Sequence, residues 1–240
     1  MRIKNHNQII RLDGRNCFVE ALDSAFAIEK VQLNFVSYDD KSNKQTALIP
    51  YYLDFTDFMV LEQDILSGRL AKLAETEKAK GAKYPQSIYM QQGGVSAKKL
   101  EQRGQKRPDG KSLSRVFKIV PGDKYPFMVQ AEQGAGEEND KGLIVSKFGG
   151  KPELRVMIPM QSEDTKKFVL MIGAKIRAYM AAQYVYFNKE EYTKQAKEEK
   201  DKIGDNANVE KTKLLRYKFA SVKLFSKFAT KYCKIAIIGG

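Results

Sequence analysis

Basic residues interleaved with strand-borne aromatics are the side chains in this sequence best placed for chemistry, and the chemistry they suit is binding. Cations neutralise phosphates and aromatic faces stack on unpaired bases, so a sheet presenting both can hold a single-stranded nucleic acid with little regard to sequence. Lys147-Phe148-Gly149-Gly150-Lys151 is the densest such cluster, an aromatic between cations at a predicted hairpin tip. The other aromatic candidates are Tyr38, Tyr51, Tyr52, Tyr89, Phe117 and Phe127. A strand aromatic is ordinarily a core residue, and Phe35, Phe58 and Phe168 are assigned to the core. The set expected to touch nucleic acid is Lys41, Lys44, Tyr51, Tyr52, Arg115, Phe117, Lys118, Lys147, Phe148, Lys151 and Arg155.

Catalytic patterns are missing. His6 is the single histidine, so histidine acid–base chemistry and histidine zinc sites are not expected. Gly149-Gly150-Lys151 lacks the G-x-x-x-x-G-K-[ST] spacing and lies between strands, and Gly134-x-Gly136 is no dinucleotide fingerprint. Glu62, Asp64, Glu132, Glu137, Glu138 and Asp140 read as solvated carboxylates, whereas a metal-dependent nuclease needs a convergent set. No enzyme activity, cofactor or metal is expected.

Charge points the same way. Among 240 residues, 42 Lys and Arg outnumber 29 Asp and Glu, a formal charge of +13. Such an excess argues for a polyanionic partner and says little about fold. Nucleic acid leads, and an anionic membrane surface is second. Cys17 and Cys233 lie near opposite ends, form no disulfide framework, and suit a reducing compartment. The first residues lack the apolar core of a secretory signal, and no stretch approaches the roughly 20 apolar residues that span a bilayer. The expectation is a soluble protein of the cytoplasm or another reducing intracellular compartment.

The elements that must position these residues come in two similar rounds. Gln8–Leu12 and the run from Cys17 flank Asp13-Gly14-Arg15-Asn16, a hairpin turn signal. Lys30–Tyr38 and Gln45–Leu53 follow as strands, with Pro50 indicating an edge or a bulge. The apolar period then lengthens: Phe58, Leu61, Ile65, Leu66, Leu70 and Leu73 predict a helix over about Thr56–Lys80, capped by Asp54 or Thr56 and stopped at Gly81. An additional strand is read at Gln86–Gln92, and Gly93–Lys111 is a polar, basic loop.

In the second round Leu113–Val120 and Pro126–Glu132 flank a turn at Pro121–Lys124. Leu143–Phe148 and Leu154–Met160 flank the Gly149-Gly150-Lys151 tip, read as another hairpin. A helix follows over Ser162–Phe187, with a stripe of Phe168, Ile172, Ile176, Tyr179, Met180 and Tyr184. The segment Asn188–Glu210 mixes charges, and Lys211–Lys234 is a basic amphipathic tail without an acidic residue. Residues 1–187 are therefore read as the binding domain, and 188–240 as a charged linker and tail.

Strand-strand-strand-strand-helix, repeated once, resembles the Whirly fold. Lys111–Ala181 looks like the second half of a Whirly protein in strand order, hairpin placement and final helix. Asn43–Leu66 looks like the end of the first half, and the similarity spans about residues 8–187. The resemblance implies an α+β protein, a duplicated ββββα with two antiparallel sheets and two helices, here extended by the basic C-terminal segment. It also implies a homo-oligomer, a tetramer, which the wide apolar stripe of the second helix would serve. The implied function is largely sequence-independent binding of single-stranded DNA in replication, recombination or strand annealing. Kinetoplastid guide-RNA-binding proteins share that fold, so an RNA chaperone or matchmaker is the alternative. A non-enzymatic structural or assembly protein with an acidic partner is the third reading.

Overall fold

The computed structural model describes residues 6–202; the basic tail Lys211–Lys234 and Cys233 lie outside the described residues. Period-two alternation builds the first sheet. Strands β1 (Gln8–Asp13), β2 (Cys17–Leu22), β3 (Lys30–Tyr38) and β4 (Gln45–Asp54) form an antiparallel meander in the order β1-β2-β3-β4. Val19, Ala21, Val31, Leu33, Phe35, Ile49, Tyr51 and Leu53 are buried on its inner face. Asn34 pairs with Pro50 in β4, an edge strand of the sheet, where proline's missing N–H does no harm.

The second sheet contains β5 (Tyr89–Val95), β6 (Ser112–Pro121), β7 (Phe127–Glu138), β8 (Ile144–Ser146) and β9 (Leu154–Met160). Its order is β5-β6-β7, with β8 and β9 both antiparallel to β7. The expected hairpin about Gly149-Gly150 is not one, because β8 and β9 pair with β7 and not with each other. They run in the same direction along one edge, as a single strand interrupted by residues 147–153. That loop stands opposite only Gly134 and Ala135 of β7.

Helices α1 (Phe55–Leu66) and α2 (Arg69–Ala79) replace the single predicted helix. The break falls at Gly68, whose φ of 78° suits glycine. Asp54 occupies the N-cap position of α1, but its carboxylate pairs with Lys30 at 2.8 Å instead of capping. The predicted loop at Gly93–Lys111 contains the end of β5 and a short helix, α3 (Ala97–Gln102), which buries Leu100 and is capped by Ser96. The last helix, α4 (Ser162–Lys202), runs through the 187/188 boundary expected between domain and linker.

The chain divides into two units, Met1–Ala181 and Ala182–Gly240. In the first, both sheets and helices α1, α2 and α4 share one core. The Phe117 ring of the second sheet meets Phe35 and Tyr51 of the first at 5.9 and 5.5 Å. Phe168, Ile172 and Ile176 of α4 are buried in this core, so half of the stripe expected to serve assembly is covered within the chain, while Met180 and Tyr184 are exposed. Burying a side chain of this size contributes about 1.5–3 kcal/mol. In the second unit Tyr184, Val185, Tyr186 and Phe187 are exposed.

Candidate nucleic-acid interface

Alternation along β6, β7 and β9 assigns a second face to this sheet, turned away from Phe117, Ile119, Val129, Ala131, Val156 and Ile158. On that outer face one cross-strand row is Met90, Lys118, Gln130 and Met157, and the next is Gln92, Val116, Glu132 and Arg155. Glu132 lies at the centre, only 1% exposed. Its Oε2 accepts from Lys118 Nζ at 2.6 Å and its Oε1 from Arg155 Nε at 2.8 Å. Burying a carboxylate is expensive unless it is paired and hydrogen-bonded, and two cations meet that need here. Arg155 lies directly across from Glu132, and Lys118 reaches it on the diagonal, the two geometries that let cross-strand side chains meet.

Beside this triad the interrupting loop folds back over the sheet. The Phe148 ring rests on Gly134: a Cβ there would lie 2.7 Å from Phe148 Cδ1. Glycine thus opens a slot that any other residue would fill, and Phe148 is left half-buried. The tip turns through Gly149 and Gly150, with φ of 52° and 82°. Three contacts fix the loop. Lys147 N–H donates to the Ala135 carbonyl at 2.9 Å. Arg155 Nη2 donates to the Gly150 carbonyl at 3.2 Å. At the far end Glu153 accepts from Arg107 Nη1 at 3.0 Å, and Arg107 also donates to Asp109 from Nε at 3.0 Å and from Nη2 at 2.8 Å.

That guanidinium holds both carboxyls below their usual range. Hydrogen bonding to Arg107 lowers Glu153, and it is the largest cause that brings Asp109 to about 2. Lys147 likewise pairs with Glu137 at 2.9 Å and lowers its carboxyl. Lys151 is exposed. Met90 and Met157, at 52% and 42% exposed, flank the cations with soft apolar surface of the kind that adapts to varied ligands.

The expected site residues divide. Lys118, Lys147, Phe148, Lys151 and Arg155 come together on the second sheet. Lys41 and Lys44 lie in the exposed turn between β3 and β4, and Tyr52 is exposed on the outer face of the first sheet. Tyr51 and Phe117 are corrected: each is 3% exposed, their rings pack on each other in the core, and neither offers a face to a base. Phe127 is equally buried, and Tyr89 packs edge-on to Phe117 at 5.7 Å. Arg115 shares the core-facing pleat of Phe117 and donates to Gln133 Oε1 at 3.0 Å. Burial pulls its guanidinium below the ordinary value, Tyr52 acts against that shift, and Arg103 adds to it.

Glu132, Arg107 and Glu153 are functional candidates that sequence reasoning misses. Glu132 reads as a solvated carboxylate, yet its signal is present. In Pro126–Glu132 the apolar residues Phe127, Val129 and Ala131 alternate with Met128, Gln130 and Glu132, which assigns Glu132 to the face of Lys118 once the hairpin is drawn. The first sheet's outer face differs in character. There Gln8 and Asn34 both donate to Glu20 at 3.1 Å, Gln32 donates to Asn34 at 2.9 Å, and Arg11 covers the Phe18 ring at 3.5 Å. Its amides and cation already have partners.

Among the described residues no cluster of His, Cys, Asp and Glu is arranged to hold a metal ion, and no helix is long and apolar enough to cross a membrane. Comparison with protein-family models, curated proteins and solved structures gave no match to this chain.

Proposed function

We propose that this protein binds single-stranded nucleic acid, DNA in the first instance, on the outer face of the second sheet, and acts by binding alone in replication, recombination or strand annealing. One observation carries the reading: Lys118 and Arg155 are fixed about a buried carboxylate next to Phe148, whose half-buried ring rests in the slot that Gly134 leaves open. Cations at fixed positions suit phosphates, a half-open ring suits a base, and exposed Met90 and Met157 extend the apolar surface between them. A Whirly-like architecture is part of the proposal, supported by two antiparallel sheets that each lead into a helix; β5, α2 and α3 are additions to the duplicated ββββα order. The tetramer belongs to that part and is tested separately, by light scattering.

Binding to single-stranded DNA, single-stranded RNA and duplex, titrated with salt, tests the function. Single strands should bind more tightly than duplex, because a duplex hides its base faces. Affinity should fall with salt with a slope of about −0.7 per phosphate neutralised. Equal affinity for duplex and single strand would replace stacking by electrostatic docking. No binding at low salt would overturn the reading and leave a structural protein with an acidic partner. Preference for RNA over DNA of the same sequence would indicate contacts to 2′-hydroxyls and the RNA chaperone alternative.

A further inference from the structure

We infer that Glu132 is a positioning residue, whose buried carboxylate holds Lys118 and Arg155 as a preorganised two-pronged grip for neighbouring phosphates; the inference rests on the nucleic-acid reading above. A surface that needed only positive charge would not place a carboxylate between its cations, since an anion there repels phosphate. Glu132 nevertheless sits at the centre of the face, with both oxygens engaged. Its two cations leave the triad with a net positive charge.

Neither cation is exhausted by the carboxylate. An ammonium carries three donors and a guanidinium five. Lys118 gives one donor to Glu132, and the Nη1 donors of Arg155 meet no acceptor among the described residues. The Lys118 side chain is 20% exposed and that of Arg155 45%, so both remain accessible. Long basic side chains lose rotamer freedom when a ligand fixes them. Here Glu132 imposes that order in the free protein, which lowers the cost of binding. Arg155 is also tied to the Gly150 carbonyl at 3.2 Å, so the grip is joined to the loop that carries Phe148.

Charge and positioning predict opposite signs for Glu132→Gln, which keeps the shape and removes the negative charge. Charge alone predicts tighter binding of a single-stranded oligonucleotide and a steeper salt dependence. Positioning predicts binding weaker by about tenfold, the worth of one charge-assisted hydrogen bond, and a salt slope flatter by about 0.7 for each phosphate that is no longer neutralised. Full-length wild type and variant are compared at temperatures where melting curves show both folded. Weaker binding with a flatter slope supports the inference; equal or tighter binding overturns it. If Glu132→Gln does not fold, Glu132→Asp decides, because it keeps every charge and both cations but shortens the carboxylate's reach to Lys118 and Arg155: weaker binding with a flatter slope supports, unchanged binding overturns. Wild-type protein that binds no single strand overturns the proposed function itself, a result distinct from a binding wild type with an indifferent variant.

Discussion

Phe148 occupies a position that depends on one missing methyl group, the Cβ absent from Gly134. Truncating Phe148 to Ala should cost about 1–3 kcal/mol in single-strand binding and leave the salt slope unchanged, as expected when one base stack is removed. Gly134→Ala should displace the ring and weaken binding with the aromatic still present; binding curves on both variants check this. Phe117→Ala should instead cost about 3–5 kcal/mol of stability, read as a lower urea midpoint, with wild-type affinity in the folded protein. The Arg107 contacts add a pH signature. Asp109 and Glu153 ionise more readily folded than unfolded, so their contribution is complete above the ordinary carboxylate range, about pH 4. It is lost as pH falls through the folded values, about 2 for Asp109. The effect is small because these groups are exposed. Arg107→Ala should flatten this acid limb of a melting-temperature series, and an unchanged limb would remove the role assigned to the clamp.

At the scale of elements, strands are more legible than their partners. Alternation locates the strands of the first sheet and β6, β7 and β9, because a half-buried strand writes its period directly into the sequence. Pairing is not written there. The Gly149-Gly150 turn signal suggests a hairpin, but β7 is long enough to pair with both flanking strands end to end, and long-range pairing overrides a local turn preference. The same limit separates the site residues. Tyr51 and Tyr52 are adjacent, so one must face inward, yet sequence alone does not say which pleat meets the core. Packing of α1 on α4 is equally hidden. Glu62, which reads as solvated, is buried and accepts from Arg177 Nη1 and Nη2 at 2.8 and 2.9 Å. A Cβ on Gly173 would fall on that carboxylate. Gly173→Ala should therefore force Glu62 out of its pair and destabilise by about 1–3 kcal/mol, the usual cost of overpacking. Urea denaturation measures it, and a neutral result would mean that the end of the Glu62 side chain moves aside at little cost.

At the scale of the whole molecule, the outer face of the second sheet is only as fixed as its back. Behind Lys118, Glu132 and Arg155 lie Phe117, Ile119, Ala131 and Val156, and these pack in one core with Phe35, Ile49 and Tyr51 of the first sheet. Cys17 of the first sheet donates from Sγ to the Met157 carbonyl of β9 at 3.2 Å. Two sheets sharing one core should unfold together, as compact single domains usually do. Phe35→Ala, in the first sheet, and Ile158→Ala, in the second, should each lower the same transition, by about 3–5 and 2–5 kcal/mol respectively. Circular dichroism reports both sheets, and oligonucleotide binding reports the face alone. In Phe35→Ala the two signals should disappear at the same denaturant concentration, with wild-type affinity below it. If binding survived after half the strand signal had gone, the second sheet would be stable by itself, and the shared core would not be what holds the candidate interface in place.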